Sequence, residues 1–471
     1  MRVFMEPSSV VMIGASRKTG SGAYNGVEMM LRYGYKGKIY PINPQADEIC
    51  GVRAFPSVAA VPEVADVATI SVGRDHVISA FQQCIDGGIR RVIIITQGFS
   101  DADRRGSELQ NKIRQMAKES GVRVLGPNTL GVLNNFCGVT TGFLDFVRPE
   151  KFYPVGLIAQ TGLFHVAPRE ISGLAWGKAV DIGNSSDVDF VDVLEYFGGD
   201  PETRVIAIYM EGILRGREFI EAASRISRQK PIIVLKSGRT AAGAKAALSH
   251  TGSLVGEDAV NDAAFRRAGI IRVQDSLGLR DAIRALVRFE AKAGPRVGVL
   301  TSSGGGGIMA TDACSDFGLT IGSLPEGLAG SLKHKIPDWI HVGNPVDIWP
   351  VGMLGDGYGN AYRKALTGLL QAPDLDAAVA VSINMNSPLH KDIDIVKVIN
   401  DVRREADNDK PIGMWIYGQA AEEAAERLNS IKGVACFDTV EQAVRALSLS
   451  WRYRQIKERK PPVLRQERDK A

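Results

Sequence analysis

The sequence is 471 residues long, more than one ordinary hydrophobic core organises, and this length predicts about three domains. Hydrophobic residues make up 45% of the chain and charged residues 23%, a composition that excludes an intrinsically disordered protein. The formal net charge of +4 is small for this length, so we expect neither a nucleic acid nor a membrane as partner.

The cysteines are few, odd in number and far apart in the sequence. None of them has the CxxC spacing of zinc or redox sites, so we expect no metal site and a reducing compartment. They are Cys50, Cys84, Cys137, Cys314 and Cys436. The chain opens without a signal-peptide pattern, and no apolar run approaches the roughly 18 residues that span a bilayer. We therefore expect a cytoplasmic protein.

Runs rich in valine and isoleucine alternate with helix-length amphipathic segments in the first third of the chain. Strands are predicted at residues 9–14, 38–42, 66–72, 91–96 and 122–125. Helices are predicted at residues 75–86 and 103–120. Parallel neighbours need crossover connections, and helices usually supply them. The alternation therefore predicts an α/β fold that opens with a Rossmann-like domain, residues 1–147.

The same alternation repeats twice more along the chain. Residues 148–154, with two prolines, are predicted as a linker, and strands are predicted at 155–159, 205–210 and 232–235. Helices are predicted to begin at 162–169 and to cover 258–267 and 279–293. A Gly-Pro pair at 294–295 then precedes a strand at 297–300 and a glycine-rich turn. We predict two flavodoxin-like doubly wound domains, residues 148–293 and 294–471.

The turn after the first predicted strand runs from Gly14 to Gly20 and suits a phosphate-bearing ligand. Ligands of open parallel sheets bind where strands end and helices begin. The turn lacks the GxGxxG fingerprint because Ser16 replaces its second glycine, and no acidic residue follows the second strand near Asn43. A nicotinamide-dependent oxidoreductase is therefore disfavoured, although a purely structural role for the turn alone stays open.

His250 lies in an unusual setting among the six histidines. Its neighbours Ser249, Thr251, Gly252 and Ser253 are small and leave backbone and hydroxyl donors available to an anion. A satisfied structural role is the usual one for a histidine, but these surroundings suit a phosphoryl group.

Glu211 directly follows the apolar strand at 205–210, so it is predicted at the edge of the sheet where ligands bind. The alternative is an ordinary exposed carboxylate at a strand end. Two predicted helix starts offer free N–H groups to an anion, one at Thr161 and Gly162 and the other in the run of glycines at 304–307.

Several separate stretches resemble one enzyme family in the right order. "VVMIGASRKTGSGAYN", "GYKGKIYPINPQADEICGVRAFPSV", "VIIITQGFS" and "RVLGPNTLGVLN" are similar to the CoA-binding domain of acyl-CoA and succinyl-CoA synthetases. "KSGRTAAGAKAALSHTGSLVGEDAV" resembles the phosphohistidine loop of the nucleoside-diphosphate-forming acyl-CoA synthetases. The resemblance covers residues 5 to 450 approximately and is to the alpha subunit.

The resemblance implies a role for particular residues. His250 is the residue that is phosphorylated, and Glu211 contacts the phosphohistidine. The residues implied in CoA binding are Gly14, Ser16, Asn43, Ser71, Thr96, Gln97 and Asn128. Those implied in phosphate binding are Thr161, Gly162, Ser249, Gly252, Gly305, Gly306 and Gly307. The sequence departs from the family at Ala159 and Thr161, where serines are usual, and at Ser302 and Gly306, where asparagine and proline are common.

The resemblance also implies a partner and substrates. The sequence has no Walker A motif, and the three predicted domains leave no length for an ATP-grasp domain. A separate ATP-grasp beta subunit is therefore expected to bind ADP or ATP with Mg²⁺ in a hetero-oligomer. CoA, phosphate and an acyl-CoA or carboxylic acid are the expected ligands. A non-catalytic CoA-binding subunit is the alternative, and the turn at Asn344 and Pro345 has either a functional or a scaffold role.

Overall fold

The computed structural model describes residues 1–20, 22–142, 148–173, 175–245, 257–334, 336–355, 357–385 and 394–459. The chain divides into two compact units, Met1–Ile283 and Arg284–Ala471.

The first unit opens with a five-stranded parallel sheet and an antiparallel pair beside it. The strands are β1 (Ser9–Ile13), β2 (Lys38–Ile42), β3 (Glu48–Ile49), β4 (Val52–Arg53), β5 (Val67–Ile70), β6 (Arg91–Ile94) and β7 (Arg123–Leu125). The helices are α1 (Arg2–Met5), α2 (Gly26–Arg32), α3 (Val77–Asp86) and α4 (Arg104–Ser120), with 3-10 turns at Val58–Ala60 and Arg74–His76. β3 pairs with β4, and the other strands lie in the order β2-β1-β5-β6-β7. β1 is buried along its whole length, as a strand covered on both faces should be.

A second, seven-stranded sheet completes the first unit. Its strands are β8 (Val132–Asn134), β9 (Val139–Thr140), β10 (Phe152–Ala159), β11 (Ala175–Asp181), β12 (Val205–Met210), β13 (Ile232–Lys236) and β14 (Ile271–Val273). Its helices are α5 (Leu163–Val166), α6 (Pro168–Ser172), α7 (Phe190–Gly199), α8 (Gly216–Ile226) and α9 (Asp258–Arg267). The order is β14-β13-β12-β10-β11-β8-β9, and only β8 and β9 run antiparallel to their neighbours.

Two predictions for this region are wrong in detail. The strand predicted from residue 155 already begins at Phe152, inside the predicted linker. The helix predicted from Gly162 breaks at Ala167, which leaves the helical region with φ −122° and ψ 47°. Pro168 follows directly, and a proline disfavours the helical conformation of the residue before it. Two helices of four and five residues therefore replace the predicted one.

Helix α10 (Ser276–Arg288) contains the residue at which the two units divide. The second unit holds a third sheet with strands β15 (Arg296–Thr301), β16 (Thr320–Ile321), β17 (Val346–Asp347), β18 (Ala377–Ile383), β19 (Ile412–Tyr417) and β20 (Val434–Phe437). Its helices are α11 (Gly304–Asp316), α12 (Glu326–Lys333), α13 (Ile348–Leu354), α14 (Tyr358–Gln371), α15 (Ile395–Ala406), α16 (Ala421–Leu428) and α17 (Val440–Glu458). The main order is β16-β15-β18-β19-β20, and β17 pairs with β15.

The parallel parts of the three sheets share one winding. In each, the first strand lies between the second and the third, giving the order 2-1-3-4-5. The second strand lies on one side of the first strand and the third strand on the other. The point where the strand order reverses is called the switch point, and ligands of open α/β sheets bind in the crevice there. The predicted fold class, α/β with parallel sheets, is confirmed, and the switch points are the places to examine for a site.

The first two sheets share a continuous hydrophobic core. One cluster of buried residues joins Val10, Met12 and Leu125 of the first sheet to Ile158 and Ile206 of the second. The opposite face of the first sheet packs separately against α3 and α4 through residues such as Phe81 and Ile113. The two sheets of the first unit are therefore held in contact by their core, and a ligand site between them rests on packed walls.

Candidate functional site

The switch point of the first sheet lies between the ends of β1 and β5. Gly14 follows β1 with φ +85°, a conformation that favours glycine. A Cβ atom at Gly14 would lie 2.3 Å from the backbone oxygen of Ser71, which follows β5. The Ser71 amide donates a hydrogen bond of 2.9 Å to the backbone oxygen of Ile13. The glycine of the predicted CoA loop is thus required by the close approach of two loops.

Two asparagines hold the loop after β1 in place. Asn43 donates through Nδ2 to the backbone oxygen of Ala15 at 2.9 Å. Asn25 is buried and donates through Nδ2 to the backbone oxygens of Ser16 and Lys18, both at 2.9 Å. Its Oδ1 atom accepts hydrogen bonds from the first turn of α2, so Asn25 joins the loop to the start of that helix. Asn43, predicted to bind CoA, is here a support of the loop.

The loops after β5, β6 and β7 are joined side by side. Thr96 donates through Oγ1 to the backbone oxygen of Val72 at 2.7 Å. The amide of Asn128 donates to the backbone oxygen of Thr96 at 3.0 Å. Asn128 has φ 59°, in the left-handed region that asparagine tolerates better than most residues. These bonds align Thr96 and Asn128, two of the predicted CoA residues, along one edge of the sheet.

The segment after β11 runs along the turn after β7 and binds the two sheets together. Asn184 and Ser186 donate backbone hydrogen bonds to the oxygens of Pro127 and Gly126, at 2.9 and 3.1 Å. Gly183 has φ +53°, and a Cβ atom there would lie 2.4 Å from the oxygen of Pro127. The side chain of Asn184 donates to Asp101 at 2.7 Å. The loop edges of the two sheets therefore meet with a fixed geometry.

A cavity of about 550 Å³ opens where these loop edges meet. It is lined by Tyr24, Ser71, Val72, Ile95, Thr96, Gln97, Asn128, Thr129, Leu130, Gly162, Val166 and Asp181. Its walls combine hydroxyl and amide groups with aliphatic side chains. This composition suits an extended ligand that carries amide groups and ends in an apolar or weakly polar group.

Asp181 is the charged residue in that lining, and it is 2% exposed. Its carboxylate accepts hydrogen bonds from the amides of Leu130 at 2.8 Å and Gly183 at 3.1 Å. Burial raises the pKa of Asp181 to about 6, and the nearby charge of Glu211 adds to the increase, against the effect of the two amides.

Glu211 lies at the switch point of the second sheet, at the end of β12, and is 5% exposed. Gln160, at the end of β10, accepts hydrogen bonds from the amides of Glu211 and Gly212 at 2.7 and 3.0 Å. The Tyr209 hydroxyl donates to the Glu211 carboxylate at 3.2 Å. The burial of Glu211 disagrees with the alternative of an ordinary exposed carboxylate at a strand end.

Lys236, at the end of β13, also contacts Glu211. Its ammonium donates to the backbone oxygen of Glu211 at 2.6 Å, and burial lowers the pKa of Lys236 below its usual value. The residues that hold Glu211 therefore come from β10, β12 and β13, three neighbouring strands of the sheet.

The predicted anion site at Thr161 and Gly162 is built differently from the expectation. Because α5 has only four residues, it supplies little of a helix macrodipole. Thr161 accepts a hydrogen bond from the Leu163 amide at 3.3 Å, and Gly162 lines the cavity. Any anion binding here depends on local backbone donors.

In the second unit, the glycine run begins a helix of 13 residues, α11. Cβ atoms at Gly306 and Gly307 would lie 3.0 Å from Thr301 Oγ1 and 3.1 Å from Thr301 Cγ2. The helix therefore packs closely on β15 because these positions lack side chains. Gly305 has only a distant neighbour, the Ser303 hydroxyl, at 3.8 Å from its Cβ position.

The turn at Asn344 and Pro345 is explained by its contacts within the second unit. Asn344 accepts from the Val299 amide at 2.8 Å and donates to the backbone oxygen of Gly322 at 2.6 Å. Asp347 accepts from the Trp349 amide at 3.1 Å and caps α13. These bonds support the scaffold interpretation of the turn.

The predicted site residues fall into five groups. Ser71, Thr96, Gln97, Asn128 and Gly162 line one cavity. Gly14 and Ser16 belong to the adjacent loop, which Asn43 supports. Thr161 and Glu211 lie at the switch point of the second sheet. Gly305, Gly306 and Gly307 lie in the second unit. His250, Ser249 and Gly252 lie outside the described residues.

Sequence reasoning missed Asp181 and Asn184. Asp181 ends β11, a strand that contains a buried lysine, and Asn184 belongs to the run of glycine and small polar residues that follows it, Gly183 to Asp187. Because of that lysine, the sequence did not predict β11. The ligand-facing residue expected at the end of this strand was therefore not predicted either. The polar run itself was the available signal.

Three acidic side chains in the first unit have the spacing of a metal site. The ligand oxygens of Glu6, Asp200 and Glu202 lie within 4.8 Å of one another. The ammonium group of Lys178, with a fully buried side chain, contacts these three carboxylates at 3.3, 2.9 and 2.8 Å. The lysine therefore supplies the positive charge that this group requires.

Three family models match successive parts of the chain. A CoA binding domain matches residues 8–135, a succinyl-CoA ligase like flavodoxin domain matches residues 154–286, and a Ligase-CoA domain matches residues 297–461. Together with the three sheets and the cavity at the strand ends, these matches define a CoA-binding protein of the succinyl-CoA ligase class.

Relatives narrow the class. The chain is 34% identical to acetate–CoA ligase [ADP-forming] I subunit alpha of Pyrococcus furiosus, over 96% of this chain and 97% of the relative. It is also 34% identical to acetate–CoA ligase [ADP-forming] II of Archaeoglobus fulgidus, over 96% of this chain and 67% of the relative. The chain belongs to the family of ADP-forming acyl-CoA synthetases and corresponds to their alpha subunits.

A solved structure gives the same result. The dinucleotide forming acetyl-coenzyme A synthetase 1 of Ca. Korarchaeum cryptofilum, in complex with phosphate and ADP, matches with a TM-score of 0.86 and 35% identity. The match covers 97% of both chains. Among the helices of the described residues, none combines the length and the apolar character needed to cross a membrane.

Proposed function

We propose that this chain is the CoA-binding and phosphohistidine-carrying subunit of a nucleoside-diphosphate-forming acyl-CoA synthetase. The reaction converts acyl-CoA, phosphate and ADP reversibly into acid, CoA and ATP. The observation that carries the proposal is the cavity at the junction of the first two sheets. Four residues implied in CoA binding and one implied in phosphate binding lie on its wall.

The residues of the cavity fit the thioester end of CoA. The pantetheine part is a flexible chain with two amide groups, so it needs hydrogen-bond donors and acceptors on an otherwise apolar path. Ser71, Thr96, Gln97 and Asn128 supply them, and Val72 and Ile95 supply the apolar surface. Gly14 and Ser16 lie on the adjacent loop, where the first strand ends and a phosphate of CoA is expected.

The first two steps use groups on this chain. A phosphate oxygen attacks the thioester carbonyl carbon, the carbon–sulfur bond breaks, and CoA leaves as thiolate, which gives an acyl phosphate. A neutral imidazole nitrogen of His250 then attacks the phosphorus, the bond from phosphorus to the acyl oxygen breaks, and the carboxylate leaves. The phosphoryl group is held on His250, which lies outside the described residues.

Glu211 acts on the other nitrogen of that imidazole. A histidine attacks phosphorus only as the neutral ring with the correct nitrogen free, so an acceptor that holds the second N–H fixes the reactive tautomer. Glu211 fits this role because its amide is held by Gln160 and its backbone oxygen by Lys236. These bonds fix the backbone that carries the Glu211 side chain.

The last step requires a partner. An ATP-grasp beta subunit binds ADP with Mg²⁺, and a phosphoryl group bound to His250 passes to the terminal phosphate of ADP. In this proposal residues 1–147 bind CoA, residues 148–293 carry the phosphohistidine loop, and residues 294–471 complete the assembly. Thr161, Gly162, Ser249 and Gly252 hold the phosphate during the transfer.

The test is to incubate the purified chain with labelled phosphate and a panel of acetyl-CoA, butyryl-CoA and phenylacetyl-CoA. We expect a phosphoryl adduct that is labile in acid and stable in base, as a phosphoramidate is. His250→Ala should carry no label, and Glu211→Gln should be labelled about tenfold more slowly or less.

His334→Ala is the matched control, since His334 is an exposed histidine of the second unit. It should be labelled at the wild-type rate. An unlabelled wild-type chain, or equal labelling of the His250→Ala variant, contradicts the proposal. An adduct stable in acid also contradicts it, because that is the behaviour of a phosphorylated serine or threonine.

A further inference from the structure

Asp181 has features that the proposed reaction does not use. It ends β11, lines the cavity, and is almost completely buried. Burying a carboxylate is costly unless charges or hydrogen bonds compensate it. A carboxyl group at this position therefore needs a reason beyond the turn that it helps to form.

The hydrogen bonds of Asp181 leave acceptor capacity toward the cavity. Oδ2 accepts from the Leu130 amide and Oδ1 from the Gly183 amide. The Thr129 hydroxyl also hydrogen-bonds to this carboxylate. Each carboxylate oxygen can accept about two hydrogen bonds, so at least one acceptor site of the carboxylate remains beyond these three partners. Leu130 itself lines the cavity, which places Oδ2 within 2.8 Å of a backbone atom of the wall.

The charge around Asp181 is not balanced within the cavity. No lysine, arginine or histidine occurs in the described lining. The charged group that acts on Asp181 is Glu211, which is also acidic and lies at the end of β12, on the far side of β10. With its pKa at about 6, Asp181 is ionised at pH 7.5. The local potential is therefore negative and favours hydrogen-bond donors.

Leu130 and Gly162, which line the cavity with Asp181, belong to the loop edges that the two sheets present to each other. Asp181 pairs with Ala159 of the neighbouring strand β10, two residues before Thr161. In the proposed function, the pantetheine arm lies along the loops of the first sheet and ends near Gly162, where phosphate meets the thioester. The acyl group joined to the sulfur would then lie at this end of the cavity, beside Asp181.

We propose that Asp181 determines acyl specificity: its carboxylate selects acyl groups that carry a hydrogen-bond donor, such as a hydroxyl group, and rejects those that carry a second carboxylate. The inference rests on the proposed function, because it assumes that the cavity holds the thioester end of CoA. A site that offers a buried acceptor discriminates strongly against a ligand without the matching donor.

The test is calorimetric titration of the chain with CoA, butyryl-CoA, 3-hydroxybutyryl-CoA and succinyl-CoA. We expect 3-hydroxybutyryl-CoA to bind roughly tenfold or more tightly than butyryl-CoA, and succinyl-CoA to bind the most weakly of the three. Asp181→Ala should abolish the preference for the hydroxyl group, and Asp181→Asn should relieve the rejection of succinyl-CoA.

Asp312→Asn, which changes an exposed carboxylate in the second unit, is the matched control and should leave all four affinities unchanged. If the variants do not fold, the wild type tested at pH 7.5 and 5.5 replaces them. At pH 5.5 Asp181 is largely protonated, so the affinity for succinyl-CoA relative to that for butyryl-CoA should be several-fold higher than at pH 7.5.

The possible failures are distinguishable. If CoA itself does not bind the wild type, the proposed function fails. If CoA binds but the wild type shows no preference among the acyl groups, the assignment of Asp181 is overturned while CoA binding stands. A preference that persists in Asp181→Ala, or succinyl and butyryl affinities that change in parallel with pH, also overturns it.

Discussion

At the scale of single residues, any substitution of Gly14 meets two obstacles that experiment can separate, a backbone conformation that favours glycine and a steric clash. A side chain there meets a positive φ and also the backbone oxygen of Ser71 at 2.3 Å. We predict that Gly14→Ala lowers the free energy of unfolding by about 1–3 kcal/mol and weakens CoA binding. Chemical unfolding and calorimetric titration with CoA are the measurements.

Gly20→Ala is the control for this prediction. Gly20 has nearly the same φ, +84°, but nothing lies within 4 Å of its Cβ position. It therefore carries the conformational cost without the clash, and should lose less stability and little CoA affinity. Equal losses in the two variants disagree with a required close approach of the loops after β1 and β5.

Asp181 makes a prediction about pH. Its pKa is raised from 3.8 to about 6 in the folded chain, so the folded chain binds this proton more tightly than the unfolded one. The resulting stability is fully present below pH 4 and is lost as the pH rises through 6. Relative to Asp181→Asn, the wild type should lose about 2 kcal/mol between pH 4 and pH 7.5.

Hydrogen exchange of the β11 amides in both proteins, measured across this pH range, gives the comparison. The Asp181→Asn substitution also changes hydrogen bonds, which shifts the stability by an amount that does not depend on pH. Only the pH-dependent part of the stability difference between the two proteins therefore reports on the pKa of Asp181. Parallel pH profiles contradict the raised pKa of Asp181.

The sequence predicted part of the candidate site for a clear reason. Ser71, Thr96 and Gln97 follow runs of valine and isoleucine, and the end of such a run marks the edge of the sheet where ligands bind. Asp181 follows the stretch from Ala175 to Val180, which contains Gly177 and Lys178 and does not read as a buried strand. The structure buries Lys178 by surrounding it with carboxylates that are distant in sequence. No local pattern reveals such long-range compensation.

At the scale of secondary-structure elements, β11 depends on the group around Lys178. We predict that Lys178→Met lowers the free energy of unfolding by about 3 kcal/mol at neutral pH, because three carboxylates lose their shared cation. Urea unfolding at pH 7 measures this effect.

Lys38→Met is the control for this element. Lys38 also pairs with a glutamate, Glu63, but its side chain is 63% exposed. An exposed pair is well solvated, so the substitution should change stability little. If Lys178→Met is as mild as Lys38→Met, the buried group does not stabilise β11.

The positions of elements show where local patterns are sufficient and where they fail. The helix predicted at residues 258–267 is found as Asp258–Arg267, since its amphipathic pattern and its acidic start agree. The strands β8 and β9 were not predicted, because they have three and two residues and are held by antiparallel pairing with distant β11 and with each other. Short elements of this kind are specified by their neighbours in the fold.

At the scale of the whole molecule, three sheets repeat one winding order, and two of them share a core. β8 and β9 lie before residue 147 in sequence but pair into the second sheet. The chain therefore enters the second sheet before the predicted boundary at residue 147. The two compact units of the structure meet in sequence only later, between Ile283 and Arg284. A boundary that lies within a shared core has no linker composition to mark it. The limits at 147 and 293 stay predictions.

The proposed reaction depends on phosphorylation of His250, and the sharpest test is to map the phosphoryl group on the chain. After incubation with acyl-CoA and phosphate, the chain is digested at neutral pH and the peptide that includes residues 246–256 is fragmented by electron transfer in a mass spectrometer. The account predicts a phosphoryl group on His250 and none on Ser249 or Thr251. A phosphoryl group on either of those hydroxyls, or an unmodified peptide from an active enzyme, contradicts it.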